Sequence, residues 1–460
     1  MATSHSISTD EKVLRLPLLE KCRAFWQICF RLAELITHCL WQATRLLGHL
    51  LLNRLSRQRR SRQSILGVFL TDLCDALGAT FTKIGQILST RCDLLPPDLI
   101  QPLARLQDRT RPFSFRSVPA LIQEEFGRPL GEIFAEFEEQ PISSASVASV
   151  YRARLHNGMW VAVKIRRPGI VRKVRNDLAI MRWIARRMAR LRAMQLIPVV
   201  DMIDELGKLI EQQLDFQLEA RNNRLFHTHF AGNQQVHIPQ LVEGYCSEAI
   251  LTMEFFPELV RIDELNWEES EYQEALLTGL RALYSMIFLN GFIHCDMHPG
   301  NFYFLKGGEV VLLDMGFVAR LKRDDRYQFG RFFLDIATNS GRDCARILYE
   351  TASFHSDAFQ RDVFEREVID LINRSSGAKA VDFQVATFAA QLFDIQRRNG
   401  LRGSNNFTMA ILSLLVFEGI AKQTYPRLDF QREARPFLLQ ALKSRARTDA
   451  EEATPGHSSS

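Results

Sequence analysis

The chain has 460 residues, 46% hydrophobic and 24% charged, the proportions of a globular protein long enough to bury substantial cores. Its eight cysteines contain no C-x-x-C pair, which argues against a disulfide framework or zinc site and for a reducing compartment. The net charge of +5 is uneven: residues 1–62 hold eleven Lys/Arg against four Asp/Glu, with Arg57, Arg59, Arg60 and Arg62 clustered at the edge. A second basic run over 166–192 has ten Lys/Arg and one acid, Asp177. Solvated helix faces explain the second run well. Contact with an anionic membrane surface is the sharper reading of such charge. Nucleic acid is not expected, because the interleaved aromatic platforms of a single-strand binder are missing.

The N-terminal apolar region is broken by Arg31, Glu34 and Arg45, and residues 409–417 fall far short of the roughly 20 residues a membrane span needs. No basic segment leads into a clean apolar one, so no secretory signal is expected. Membrane contact is therefore expected to be peripheral, on the cytoplasmic or organelle-matrix side, and the chain is not expected to be secreted.

In chain order, helical periodicity covers 14–56, with Leu19, Cys22, Trp26, Phe30 and Ile36 among its large apolar positions. Helices continue over 65–107, interrupted at Pro96-Pro97. Near Pro141 the pattern changes: VYRARL, HNG and MWVAVKI predict two strands joined at an Asn157-Gly158 turn. Pro168-Gly169 ends the second strand, and Val171, Val174, Leu178, Met181, Ala185, Met188 and Leu191 mark one face of a long helix. A further helix is expected over 200–226, a buried strand at AILTMEFFP, and an apolar helix over 270–290 running into Gly291. The pattern from 325 to 445 is nearly all helical, and TPGHSSS predicts a disordered tail. The expected units are basic N-terminal helices (1–62), a helical extension (63–135), a strand-rich lobe (136–256), a helical lobe (257–445) and a tail (446–460).

The second half of this pattern carries the chemistry. A hairpin strand ending V-A-V-K, a helix with a Glu, H-x-D-x-x-x-x-N and D-x-G follow one another as in a kinase-type phosphotransfer site. Lys164 would neutralise the α- and β-phosphates of ATP, and Glu219 would hold that lysine. Asp296 would orient or deprotonate the acceptor, while Asn301 and Asp314 would bind Mg²⁺. Asp314 lies thirteen residues after Asn301, across a hairpin whose turn is Lys306-Gly307-Gly308, so the two metal ligands return to one end of a strand pair. Each piece alone is ordinary: a strand-end Lys is commonly a surface charge, and a lone Asp is commonly a helix cap. The ordered set is what points to phosphotransfer. His294 and His298 have an i, i+4 spacing but fall on a loop, which disfavours zinc; both are expected to brace the loop through hydrogen bonds.

Two features of ordinary protein kinases are missing. The loop before the hairpin, SSASVASV (143–150), contains no Gly, and only FVARLKR separates DMG from the next helix.

With these residues in view, the chain resembles the UbiB (AarF-domain) atypical kinases from about 65 to 430. The resemblance rests on K-x-G-Q at Lys83 to Gln86, on SSAS followed by VASV, on LDFQLEARN, on HCDMHPGN and on FEGIAKQTYPRLDF. It implies an α+β, two-lobed protein-kinase-like fold with an all-helical N-terminal extension. It also implies ATP and Mg²⁺ as ligands, ATPase or small-molecule phosphotransfer activity, and support of ubiquinone or other isoprenoid-lipid metabolism at membranes. By motif, Lys83 and Gln86 would occlude the site, Ala145, Ser146 and Val147 would sit over the phosphates, and Glu254 to Phe256 would form the adenine hinge. The implied partners are an isoprenoid or quinone-type lipid, or the enzymes that make it.

The chain departs from the family at four places. The E-x-D reads Gln213-Leu214-Asp215, removing the acid that pairs with the K-x-G-Q lysine. The loop has Ser143-Ser144 for two Ala and Ser149 for a Gln, Met315 stands for the Phe of D-F-G, and the C-terminal transmembrane helices of many bacterial members are not expected in this chain. Two other readings stay open on the sequence: a protein kinase, favoured by the complete catalytic set, and a non-catalytic nucleotide-gated scaffold, favoured by the Gly-free loop and Gln213.

Overall fold

The computed structural model describes residues 18–55, 61–91, 93, 95–107, 112–191, 199–264, 269–376, 384–425 and 428–453. The basic cluster at Arg57, Arg59 and Arg60 and the end of the tail lie outside these residues.

The N-terminal region is helical: α1 (Leu18–Leu55), α2 (Arg62–Leu77), α3 (Ala79–Ser89) and α4 (Pro97–Leu103). Gly78 separates α2 from α3 with φ 91°, a conformation that favours glycine. The side chain of Arg31 on α1 fixes this corner. It donates to Asp177 at 2.7 Å and to the carbonyl of Leu77 at 2.7 Å.

Two short helices, α5 (Val118–Phe126) and α6 (Leu130–Ile133), lead into β1 (Phe134–Phe137), β2 (Ser143–Ser144), β3 (Ala148–Leu155) and β4 (Trp160–Arg166). After α7 (Ile170–Met188), α8 (Val199–Leu214) and α9 (Phe216–Phe230) come β5 (Val236–His237) and β6 (Ile250–Glu254). The sheet order is β1-β3-β4-β6, with β2 paired to β3. The β3–β4 pair is antiparallel and joined at the expected Asn157-Gly158 turn, within a loop over 156–158, with Val150 opposite Lys164 and Arg154 opposite Trp160. Strand β4 has two covered faces. Val161, Val163 and Ile165 pack with Val118, Ile122 and Phe134, whereas Ala162 and Lys164 face the cavity described below.

Only part of the expectation for 200–226 holds, because Asp215 interrupts the helix and caps α9, its Oδ1 accepting from the Leu218 amide at 2.9 Å. The second lobe begins with β7 (Val260–Arg261) and α10 (Glu269–Tyr284), which continues as a π-helical turn over Ser285–Asn290 to Gly291. Then come β8 (Phe292–His294), β9 (Phe302–Phe304), β10 (Val310–Leu312) and β11 (Val318–Arg320). The remainder is α11 (Arg323–Ala337), α12 (Gly341–Glu350), β12 (Phe354–His355), α13 (Arg361–Ser376), α14 (Val385–Arg398), β13 (Leu401–Arg402), α15 (Asn405–Thr424) and α16 (Phe430–Ala453). Helix α16 runs past the expected boundary at 445, through a stretch of Ala, Arg and Glu that favours helix.

The core of this lobe joins Leu280, Tyr284 and Phe288 to Phe329, Phe407 and Phe417. Within it, Glu418 of α15 is 2% exposed and accepts from the Val385 and Ala386 amides at 2.8 and 2.6 Å, so a distant side chain caps α14. Among the described residues no helix is long and apolar enough to cross a membrane.

Candidate functional site

A cavity of about 830 Å³ lies where the strand-rich lobe, the second lobe and α3 meet. Its wall includes Lys164, Glu219, Asp296, Asn301 and Asp314, so all five residues proposed for phosphotransfer converge there. Lys83 and Gln86 of α3, Ala145, Glu254 and Phe256 also line it.

Lys164 comes from β4 and Glu219 from the first turn of α9. Their Nζ and Oε1 atoms are 2.7 Å apart. Asp314, just after β10, approaches the same ammonium to 3.0 Å. Burial alone would lower the Lys164 pKa, but the charges of Asp314 and Glu219 outweigh it and hold the ammonium above its ordinary value. Burial raises Glu219 to about 7, against the opposing pull of Lys164. For Asp314 burial is outweighed by Lys164 and then Lys83, which keep its carboxylate well below the usual range. The Asp314 side chain is 39% exposed against 5% for Glu219, so Asp314 is the carboxylate open to a ligand.

The backbone around Asp314 is constrained. Its φ is 58°, uncommon for a non-glycine residue, and its Oδ1 accepts from the Gly316 amide at 3.2 Å. A Cβ on Gly316 would press to 3.0 Å on Asp314 Oδ1 and to 3.6 Å on Glu219 Oε2, so the glycine keeps room between two carboxylates. Asn222 lies three residues beyond Glu219 on one face of α9 and donates to the Met315 carbonyl at 2.9 Å. Sequence reasoning missed this role; the Glu-x-x-Asn spacing was its signal.

The H-x-D loop is held through His294. This residue sits at the end of strand β8 rather than on the expected loop, and is fully buried. Its Nε2 donates to the Leu313 carbonyl at 2.9 Å, while its Nδ1 accepts from the Asp296 amide at 3.1 Å. His298 accepts from the Gly300 amide at 2.9 Å through Nδ1. These bonds give both rings a bracing role. The Asn301 amide nitrogen donates to the Asp296 carbonyl at 2.9 Å, which leaves its Oδ1 as an oxygen donor beside Asp314. An amide oxygen and a carboxylate suit Mg²⁺, which usually completes its shell with water and substrate phosphates.

The K-x-G-Q residues divide three tasks. Lys83 brings a second positive charge whose field reaches Glu219 and Asp314. Gly85 allows close packing, since a Cβ there would come within 2.3 Å of Leu106 Cδ1. Gln86 donates to the Leu106 carbonyl at 2.8 Å and accepts from Ser146 Oγ at 3.2 Å, tying α3 to the β2–β3 turn. Of the three residues expected over the phosphates, Ala145 lines the cavity. Ser146 is fully buried against Gln86 and Arg167, and Val147 packs with Ile84 and Ile87. Gln213 also lines the cavity, 8% exposed, with its Oε1 unpartnered.

A sheet lobe and a helical lobe around a Lys–Glu pair, an H-x-D loop and a following D-x-G define a protein-kinase-like fold, here with a helical N-terminal region. An ABC1 atypical kinase-like domain matches residues 105–348. Proteins named probable protein kinase UbiB are similar along most of the chain. That of Azotobacter vinelandii is 31% identical, covering 87% of this chain and 76% of the relative. That of Marinobacter nauticus is 31% identical over 81% and 69%. Among solved structures, Mycobacterium tuberculosis Rv3197, determined in complex with erythromycin, superposes with a TM-score of 0.50 at 23% identity, covering 75% of this chain and 91% of that one. The chain therefore belongs to the UbiB family of ABC1 atypical kinase-like proteins.

Proposed function

We propose that this chain is a Mg-ATP-dependent atypical kinase or ATPase that works at a membrane surface in support of ubiquinone or other isoprenoid-lipid biosynthesis. The observation that carries the nucleotide part is Lys164, held between Glu219 at 2.7 Å and Asp314 at 3.0 Å in the cavity that Asp296 and Asn301 also line. Lys164 and Lys83 would offset phosphate charge, and Asp296 would orient the acceptor hydroxyl or water. Asn301 and Asp314 would hold Mg²⁺, which when bound neutralises charge on the phosphates. Glu254 and Phe256, at the end of β6, would flank the adenine.

The geometry favours a small acceptor over a protein. Lys83 and Gln86 stand in the cavity wall, and β11 and α11 follow Gly316 at Val318 and Arg323. That leaves little chain on which a peptide substrate would dock. The lipid role rests on family membership and the membrane role on the basic N-terminal region.

Calorimetric titration with ADP and Mg²⁺ tests the site. The wild type is expected to bind in a Mg²⁺-dependent manner, and Asp314→Asn to lose that dependence together with at least about tenfold in affinity. Unchanged Mg²⁺-dependent affinity in Asp314→Asn would overturn the assignment.

A further inference from the structure

Helix α1 packs through one narrow face. Arg31, Leu35 and Gln42 are buried there, against Asp177, Leu77, Ile180 and the Asp72 carbonyl. The opposite face carries Trp26, Phe30, Leu40, Trp41, Leu47 and Leu51, each between 61% and 80% exposed. At 3.6 residues per turn these six fall within an arc of about 120°. Helix α7 meets α1 at the Arg31–Asp177 pair and, one to two turns further on, exposes Trp183 at 52% and Ile184 at 40%. A continuous stripe with this many large side chains exceeds the scattered apolar residues of an ordinary surface.

The charges beside this stripe are mainly basic, and the exposed acids next to it are paired, Glu34 with Arg31 at 2.8 Å and Asp72 with Arg45 at 3.3 Å. Asp177 is the one acid of α7 and lies buried under Arg31, so every exposed charge of that helix is basic, Arg172, Arg175, Arg186 and Arg187 among them. Arg45 on α1 is 45% exposed, and in the sequence Arg57, Arg59 and Arg60 follow the end of α1.

We propose that the outer face of α1, with the adjoining end of α7, docks onto an anionic phospholipid surface, α1 lying in the plane of the interface. This inference deepens the membrane part of the proposed function and is independent of the nucleotide chemistry. Tryptophans suit the headgroup boundary, and arginines beside them suit anionic lipid. The helix is about 57 Å long by its rise per residue, far longer than a bilayer core, and Arg31, Glu34 and Arg45 interrupt its apolar character. A second copy of the chain would instead bring two mainly basic surfaces together along the same stripe. The buried Arg31 links this surface to the Leu77–Gly78 corner, from which α3 carries Lys83 and Gln86 into the cavity.

The test is co-sedimentation of the full chain with mixed phosphatidylglycerol–phosphatidylcholine vesicles and with phosphatidylcholine vesicles alone. Wild type is expected to bind the mixed vesicles, less so at high salt, and the triple variant Trp26→Ser/Phe30→Ser/Trp41→Ser to lose on the order of tenfold or more in vesicle affinity. Unchanged thermal unfolding and ADP binding would show that the variant is folded with an intact cavity. Equal sedimentation of variant and wild type would overturn the proposal. Loss of a wild-type dimer in sedimentation velocity, with vesicle binding unaltered, would assign the face to a second copy and also overturn it. Should the variant fail to fold, quenching of wild-type tryptophan fluorescence by brominated anionic lipid is expected, and no quenching would overturn the docking. A wild type that ignores ADP yet binds vesicles would count against the nucleotide site alone.

Discussion

Lys164 of β4 and Asp314, 150 residues later, meet at 3.0 Å, so the same ammonium that grips Glu219 also holds the carboxylate open to the cavity. Opposed signs at this contact separate the two acids. Asp314 stays ionised, while the more enclosed Glu219 is raised to about 7.

That raised value has a consequence for stability. The folded protein retains the Glu219 proton to higher pH than the unfolded chain, whose value is near 4.5. Its contribution to stability is complete below about 4.5 and is lost as pH rises through about 7. Asp314 has the opposite sign, with stability present above 3.8 and lost as pH falls through its depressed value. Urea unfolding of wild type and Glu219→Gln between pH 5 and pH 8 reads the difference directly. The wild type is expected to lose stability relative to the variant over that window, and parallel curves would contradict the assignment.

Arg31→Ala should leave the fully buried Asp177 without its partner. The expected loss is about 3–5 kcal/mol, the usual cost of breaking a buried ion pair from one side. Denaturant titration measures it, and limited proteolysis should show earlier cleavage in α1. A change below about 1 kcal/mol would mean that α1 is not anchored by this pair.

At Gly85, an added methyl group would meet Leu106, which is 1% exposed and has little room to move. Gly85→Ala is expected to cost about 1–3 kcal/mol, and Leu106→Ala in the same chain to recover part of that loss. Additive destabilisation of the two changes in a double-mutant cycle would show that they do not share the contact.

Glu418→Ala removes the acceptor for two amides at the start of α14. A loss of about 2–4 kcal/mol is expected from the two orphaned donors, read in thermal or denaturant unfolding. Mg²⁺-nucleotide binding should survive, because Glu418 does not line the cavity.

The two-lobed fold and the convergence of Lys164, Glu219, Asp296, Asn301 and Asp314 were legible because they depend on local patterns: a hairpin, a helix turn and a short strand pair at fixed spacing. What was not legible depends on pairs distant in the chain. Arg31 finds Asp177, Gln86 finds Ser146, and Glu418 finds Val385, with no periodicity to announce any of them. The break at Asp215 was hidden inside a continuous apolar period, although an Asp three residues before Leu218 is a common cap. The motif match placed Ser146 and Val147 over the phosphates because neighbours in sequence share a motif. In the β2–β3 turn only Ala145 of the three faces the cavity, while its neighbours secure α3.

The most direct measurement of the central claim is steady-state ATP turnover by the purified chain with and without Mg²⁺, beside Asp296→Asn and Asp314→Asn. Mg²⁺-dependent turnover that falls by at least about 100-fold in both variants is the predicted result, since Asp296 is proposed to orient the acceptor and Asp314 to hold the metal. Turnover that persists in both variants, or that ignores Mg²⁺, would contradict the account.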